Sequence, residues 1–133
     1  ENNEFALTRL KSDDQVIASR QRASFLRKLP QEHVIELLGD SATFDYTPYR
    51  GRIGLFFIDG AHSFDYVRSD TFNACRCCGK DGIIFWHDFG SSRDVSRFLN
   101  SLAKKGAAIY GVAGTTLSFS IDIETIRHVI LKI

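Results

Sequence analysis

IGLFFIDGAHSFDYV (residues 53–67) and GIIFWHDF (residues 82–89) carry the same pattern twice. In each, a short β-prone apolar run stops abruptly at small and polar residues. Ile53–Ile58 runs into Asp59-Gly60-Ala61-His62-Ser63, and Ile83–Trp86 runs into His87-Asp88. Runs that are apolar at nearly every position suit strands buried on both faces. Between them, Phe64, Val67, Phe72, Cys75 and Cys78 fall at mostly helical spacing, which predicts a helix over Phe64–Cys78, broken by Gly79-Lys80-Asp81-Gly82. A buried strand, a helix of more than ten residues and a second buried strand are the signature of a parallel α/β unit.

The pattern extends in both directions. Upstream, His33–Leu38 (HVIELL) reads as a strand ending in the turn Gly39-Asp40-Ser41. Before it, Val16, Ile17, Ala23, Phe25, Leu26 and Leu29 form a roughly helical stripe closed by Pro30, with Ser12-Asp13-Asp14 as N-cap candidates; residues 1–15 read as a loop. Downstream, Val95–Ala103 reads as a helix with Val95, Phe98, Leu99 and Leu102 on one face. Ala107–Val112 and Thr116–Ile121 read as two closing strands, and residues 124–133 are expected to be a further strand. The fold class is α/β, in a single domain over residues 1–133.

Composition narrows the function classes. With 133 residues the chain has room for one domain, not for separate cofactor and substrate domains. Seventeen Lys and Arg against sixteen Asp and Glu leave a formal charge of +1, so no field of one sign draws in nucleic acid or an anionic membrane. The cluster Arg20, Arg22, Arg27 and Lys28 lacks interleaved aromatics and reads as a solvated helix face. No apolar run approaches the roughly 20 residues that span a bilayer. Cys75, Cys77 and Cys78 are too crowded to bridge one another, and no second pair exists to complete a zinc site; buried thiols in a reducing cytoplasm are the expectation. The chain begins at Glu1 and contains no Met, as expected of a sequence cut upstream.

In open α/β sheets, ligands bind at the carboxyl ends of the strands. If the strands are parallel, Gly39-Asp40-Ser41, Asp59-Gly60-Ala61-His62-Ser63 and His87-Asp88 share one rim. Carboxylates and imidazoles on one rim suit a divalent cation or a general acid–base pair. The competing reading is local: Ser63 or Asp65 would cap the helix that starts near Phe64.

GDSATFDY, IGLFFIDGAHSFDYVRSD, GKDGIIFWHDF and GVAGTTLSFSI, in this order, resemble the C-terminal part of class I S-adenosylmethionine-dependent methyltransferases. More narrowly they resemble the small-molecule and sugar O-methyltransferase branch, which carries FIDG-x-HSY after its fourth strand and GG-x-I-x-x-HDY after its fifth. The resemblance covers about residues 31–121. It implies a Rossmann-like, mostly parallel sheet with an antiparallel C-terminal hairpin, in which His33–Leu38, Ile53–Ile58 and Ile83–Trp86 stand for strands three, four and five. The first two strands and their G-x-G-x-G loop have no counterpart. An unpaired sheet edge, or strand three placed directly on strand four, is the expected consequence.

By the same resemblance, S-adenosylmethionine is the cofactor. Gly39, Asp40, Ser41, Asp59 and Gly60 would bind it, with Asp40 accepting from the adenine amine. Asp59, His62 and His87 are the catalytic candidates, either imidazole serving to take the acceptor's proton. Asp59 and Asp88 are the candidate ligands of a Mg²⁺ ion, which prefers oxygen donors. The expected acceptor is a hydroxyl of a small molecule or sugar. Two other readings compete. One is a degenerate non-catalytic domain that self-associates into a homo-oligomer through its exposed edge. The other is a metal-dependent hydrolase using Asp59, His62, His87 and Asp88.

Overall fold

The computed structural model describes residues 34–35 and 37–133. The expected helix over Val16–Leu29, its caps, the basic cluster Arg20–Lys28 and His33 lie outside the described residues. In chain order the elements are β1 (Ile53–Ile58), α1 (Phe64–Cys77), β2 (Cys78–Trp86), α2 (Arg93–Lys104), β3 (Tyr110–Gly111), β4 (Ser118–Ser120) and α3 (Ile123–Val129). Short 3-10 turns cover Thr47–Tyr49 and Ile130–Lys132.

The sheet has the order β1-β2-β4-β3, with β1 parallel to β2 and the remaining pairs antiparallel. It is the α/β arrangement the sequence predicts: a parallel pair joined through a helix, closed by an antiparallel hairpin. The closing strands are shorter than their apolar runs, because Val112–Leu117 forms the turn between them.

Register divides the sheet into two unlike faces. Phe56 pairs with Ile84 and Ile58 with Trp86, while Ser120 and Ser118 lie opposite the same two β2 residues from the other side. This face meets Val67, Ala74 and Cys75 of α1, Val95, Phe98, Leu99 and Leu102 of α2, and Ile123 and Ile126 of α3 in one continuous core. The alternate positions Leu55, Phe57, Phe85, Phe119 and Tyr110 point the other way. Their rings contact in series, Phe85–Phe119 at 5.5 Å and Phe119–Tyr110 at 5.3 Å between centroids. No described helix covers them, so Leu55 is 56% and Phe57 49% exposed. The expectation that Ile53–Ile58 is buried on both faces is therefore corrected: burial requires a layer on each side, and the described residues supply one.

Two further expectations are corrected. Val34, Ile35, Leu37 and Leu38 form no strand, and Ile35 and Leu38 are 77% and 67% exposed. Among the described residues β1 thus keeps one unpaired edge, since nothing pairs it on the side away from β2. At the C-terminus the expected strand over 124–133 is α3 with its 3-10 extension. The β-branched composition misleads, and the capping residue decides: the Asp122 carboxylate accepts from Thr125 N–H at 3.3 Å. Ile123, Ile126 and Ile130 then fall on one buried helical face.

The helix over Val95–Ala103 is confirmed and slightly extended. Ser92 caps its start, and Gly106, at φ 100, turns the chain out of its end in the left-handed region that favours glycine. Helix α1 ends one residue short of the predicted Cys78, and the glycine-rich stretch expected to break it lies inside β2. Cys77 closes the helix and Cys78 already pairs with Ile53. Ile83 pairs with Leu55, so residues 79–82 bulge out opposite Gly54 alone. The bulge is tightly folded, because a Cβ at Gly82 would lie 2.7 Å from the Cys78 Cβ. Gly82→Ala is expected to cost about 1–3 kcal/mol by overpacking. A urea midpoint unchanged from wild type would show that the bulge relaxes freely.

Candidate functional site

The two strand ends quoted at the outset meet. Because β1 and β2 are parallel and in register at Ile58 and Trp86, the residues that follow each strand leave the sheet side by side. His87 N–H donates to the Ile58 carbonyl at 3.0 Å, extending the ladder by one step. Ile58, Asp59, Gly60, Ala61, His62, Val67, Trp86, His87, Asp88 and Val95 line a solvent-open cleft of about 210 Å³.

Within it, His62 Nε2 lies 2.7 Å from Asp88 Oδ2. His87 Nδ1 lies 3.1 Å from the same oxygen and 3.4 Å from Asp59 Oδ1, close enough for charge pairing but without an aligned hydrogen bond. On its far side His87 Nε2 meets Thr116 Oγ1 at 3.2 Å, so the loop before β4 holds the ring from behind. Asp88 itself sits at φ 63, a left-handed conformation uncommon for a residue with a side chain. The turn that forces it is well defined: Ser92 N–H donates to the Asp88 carbonyl at 2.9 Å and the Ser91 hydroxyl to Asp88 Oδ1 at 2.8 Å. Burial works against the charge on Asp88, but the Ser91 hydroxyl and the two imidazoles outweigh it and hold the carboxyl below its ordinary range.

Asp59, His62 and Asp88 each offer one ligand atom, all within 4.8 Å of one another, and could hold one metal ion. The expected pair Asp59 and Asp88 is thus joined by an imidazole. The cysteines take no part: all three are buried and unbridged, and burial pushes the Cys75 thiol up to about 12.

The Gly39-Asp40-Ser41 turn does not line this cleft. Asp40 accepts from Ala42 N–H at 3.0 Å and from the Tyr66 hydroxyl of α1 at 3.0 Å, which ties the turn to the helix that follows Gly60. Between turn and helix lies Asp70, which sequence reasoning passed over. It is buried, hydrogen-bonded to the Ser41 side chain, and placed so that a Cβ at Gly60 would come within 3.3 Å of its Oδ2. Burial first, and then the neighbouring Asp40, push its carboxyl up to about 6 against the Ser41 hydrogen bond. The missed signal was available: an aspartate at position 70 falls on the same helical face as Val67 and Ala74. Thr116 gave no such signal, since only the hairpin brings it to His87. Ser63 stands at the N-cap position of α1 without a side-chain cap; instead Phe64 N–H donates to Asp94 Oδ2 of α2 at 3.4 Å.

No helix among the described residues is long and apolar enough to cross a membrane. A family model described as a methyltransferase domain matches residues 1–89, from the start of the chain to just past His87-Asp88. No curated protein and no solved structure matches the chain.

Proposed function

The chain belongs to the methyltransferase-domain family, and from that membership we propose that it works in an S-adenosylmethionine-dependent O-methyltransferase acting on a hydroxyl of a small molecule or sugar. The observation that carries the reading is the His62–Asp88–His87–Asp59 constellation at the carboxyl ends of two parallel strands.

The donor set fits the cofactor: Asp59 lines the cleft, Asp70 lies against the Gly60 turn and Asp40 neighbours Asp70, acidic surroundings for a ligand that carries a positive sulfonium. When bound, the cofactor supplies an activated methyl group. Gly39, Asp40 and Ser41 would hold its adenine side, and Asp59 and Gly60 the side nearer the reacting centre. His62 takes the proton of the acceptor hydroxyl, and Asp88 orients that imidazole and stabilises its cation. His87, fixed between Thr116 and Asp88, sets the opposite wall and is the second candidate base.

A magnesium-assisted version would use Asp59 and Asp88 with His62 as a third ligand; the nitrogen donor favours Mn²⁺ over Mg²⁺. The test is an NMR titration with S-adenosylmethionine up to millimolar concentration, with and without each cation. Shifts are expected at Gly39–Ser41 and Asp59–His62. Their absence under all conditions would sink the reading, and cation-independent shifts would remove the metal.

A further inference from the structure

We propose that Asp70 is a positioning residue that joins the two turns assigned above to the cofactor, Gly39–Ser41 and Asp59–Gly60, through the buried face of α1. The inference rests on the proposed function for its purpose, but its geometry does not. Asp70 is 7% exposed, and its carboxyl faces Ser41 on one side and the Gly60 backbone on the other. A Cβ at position 60 would lie 3.3 Å from the carboxylate oxygen, a tight contact that glycine avoids. One helical turn earlier, Tyr66 donates to Asp40, whose second oxygen receives Ala42 N–H. Two side chains of α1 thus grip the two successive residues Asp40 and Ser41, and the Asp70 grip continues to the end of β1.

An apolar core residue would fill the position equally well if packing were its role. Instead a carboxyl is retained where burial opposes its charge, with Oδ1 buried and without a hydrogen-bond partner. The titratable groups that face it are Asp40 from the turn and Tyr46 from the segment before β1; Gly60 presents backbone only. Asp40 disfavours a second negative charge, while the Tyr46 phenol, pushed up to about 12 by burial first and then by Asp70, stays neutral. A cationic cofactor laid against Asp40 offsets that repulsion, so occupancy and ionisation of Asp70 favour each other.

The experiment compares wild type, Asp70→Ala and Asp70→Asn in the full chain. Amide exchange at Ala42, Thr43 and Phe44, without cofactor, is expected to speed up about tenfold in Asp70→Ala and to stay near wild type in Asp70→Asn, which keeps an acceptor for Ser41. Unchanged exchange in Asp70→Ala overturns the inference whatever the cofactor does. S-adenosylmethionine affinity of the wild type is expected to rise severalfold from pH 5 to pH 7.5, and Asp70→Asn to lose at least threefold of that rise; equal pH slopes also overturn it. If neither protein binds the cofactor while exchange responds, the methyltransferase reading falls and the bridge stands. The pH dependence of folding gives a separate check. The folded carboxyl titrates near 6, above its ordinary 3.8, so the stability it contributes is full below 3.8 and lost as pH rises through 6. Asp70→Asn is therefore expected to melt above wild type at pH 7.5 and together with it near pH 3.5.

Discussion

Replacing Trp86 with alanine is expected to lower the unfolding free energy by about 3–5 kcal/mol. That is a large share of the roughly 5–15 kcal/mol that holds a domain folded. Trp86 is fully buried at the end of β2, where the core shared by the three described helices meets the floor of the cleft. Its indole N–H donates to Thr71 Oγ1 of α1 at 2.8 Å in a buried setting. Truncation therefore opens a cavity and also orphans a hydroxyl. Trp86→Phe keeps most of the packing and loses about 1 kcal/mol for the hydrogen bond plus the missing volume. Urea denaturation of both variants measures the difference. A loss below 1 kcal/mol for the alanine variant would mean that the core is not organised around this side chain. Because His87 and Asp88 follow directly, the alanine variant should also lose the 2.7 Å pairing of Asp88 with His62.

His62→Ala is expected to slow methyl transfer by about 10²–10⁴-fold, the usual contribution of a positioned acid–base group. The side chain is 44% exposed, so its removal should leave the melting temperature nearly unchanged. This separates the expected loss from that of Trp86→Ala, where folding and activity fall together. Asp88→Asn should produce a smaller loss, since the amide keeps contact with His62 but cannot stabilise its cation. Single-turnover rates with saturating acceptor are the measurement. A His62→Ala rate within threefold of wild type would move the base role to His87 or to bulk water.

The sequence makes the parallel unit and its rim legible because burial and chemistry coincide there: Ile53–Ile58 and Ile83–Trp86 stop where hydrophobicity stops, and the residues after them have nowhere to go but the cleft. Asp59, His62, His87 and Asp88 were readable for that reason. Other elements depend on contacts that composition does not announce. HVIELL is as apolar as a strand, yet the structure gives its described residues no neighbour to pair with. The C-terminal run is β-branched, yet one aspartate cap and isoleucines spaced three and four residues apart make it a helix. Asp70 lies in a segment correctly read as helix. Its importance appears only when Gly60 and Ser41, 10 residues before and 29 residues before it in the chain, are brought against it.

The junction of Cys77 and Cys78 has a consequence for how such a chain can change over generations. Helix and strand meet with no residue between them, and the cleft lies at their far ends, about 21 Å away along a fourteen-residue helix. A residue inserted or deleted at the joint would rotate the helix by about 100° against the sheet and carry His62 away from Asp88. Length variation has an outlet one residue later, where 79–82 already loop out opposite a single glycine. Drift in chain length should therefore collect in that bulge, leaving the reach between the two ends of the site fixed.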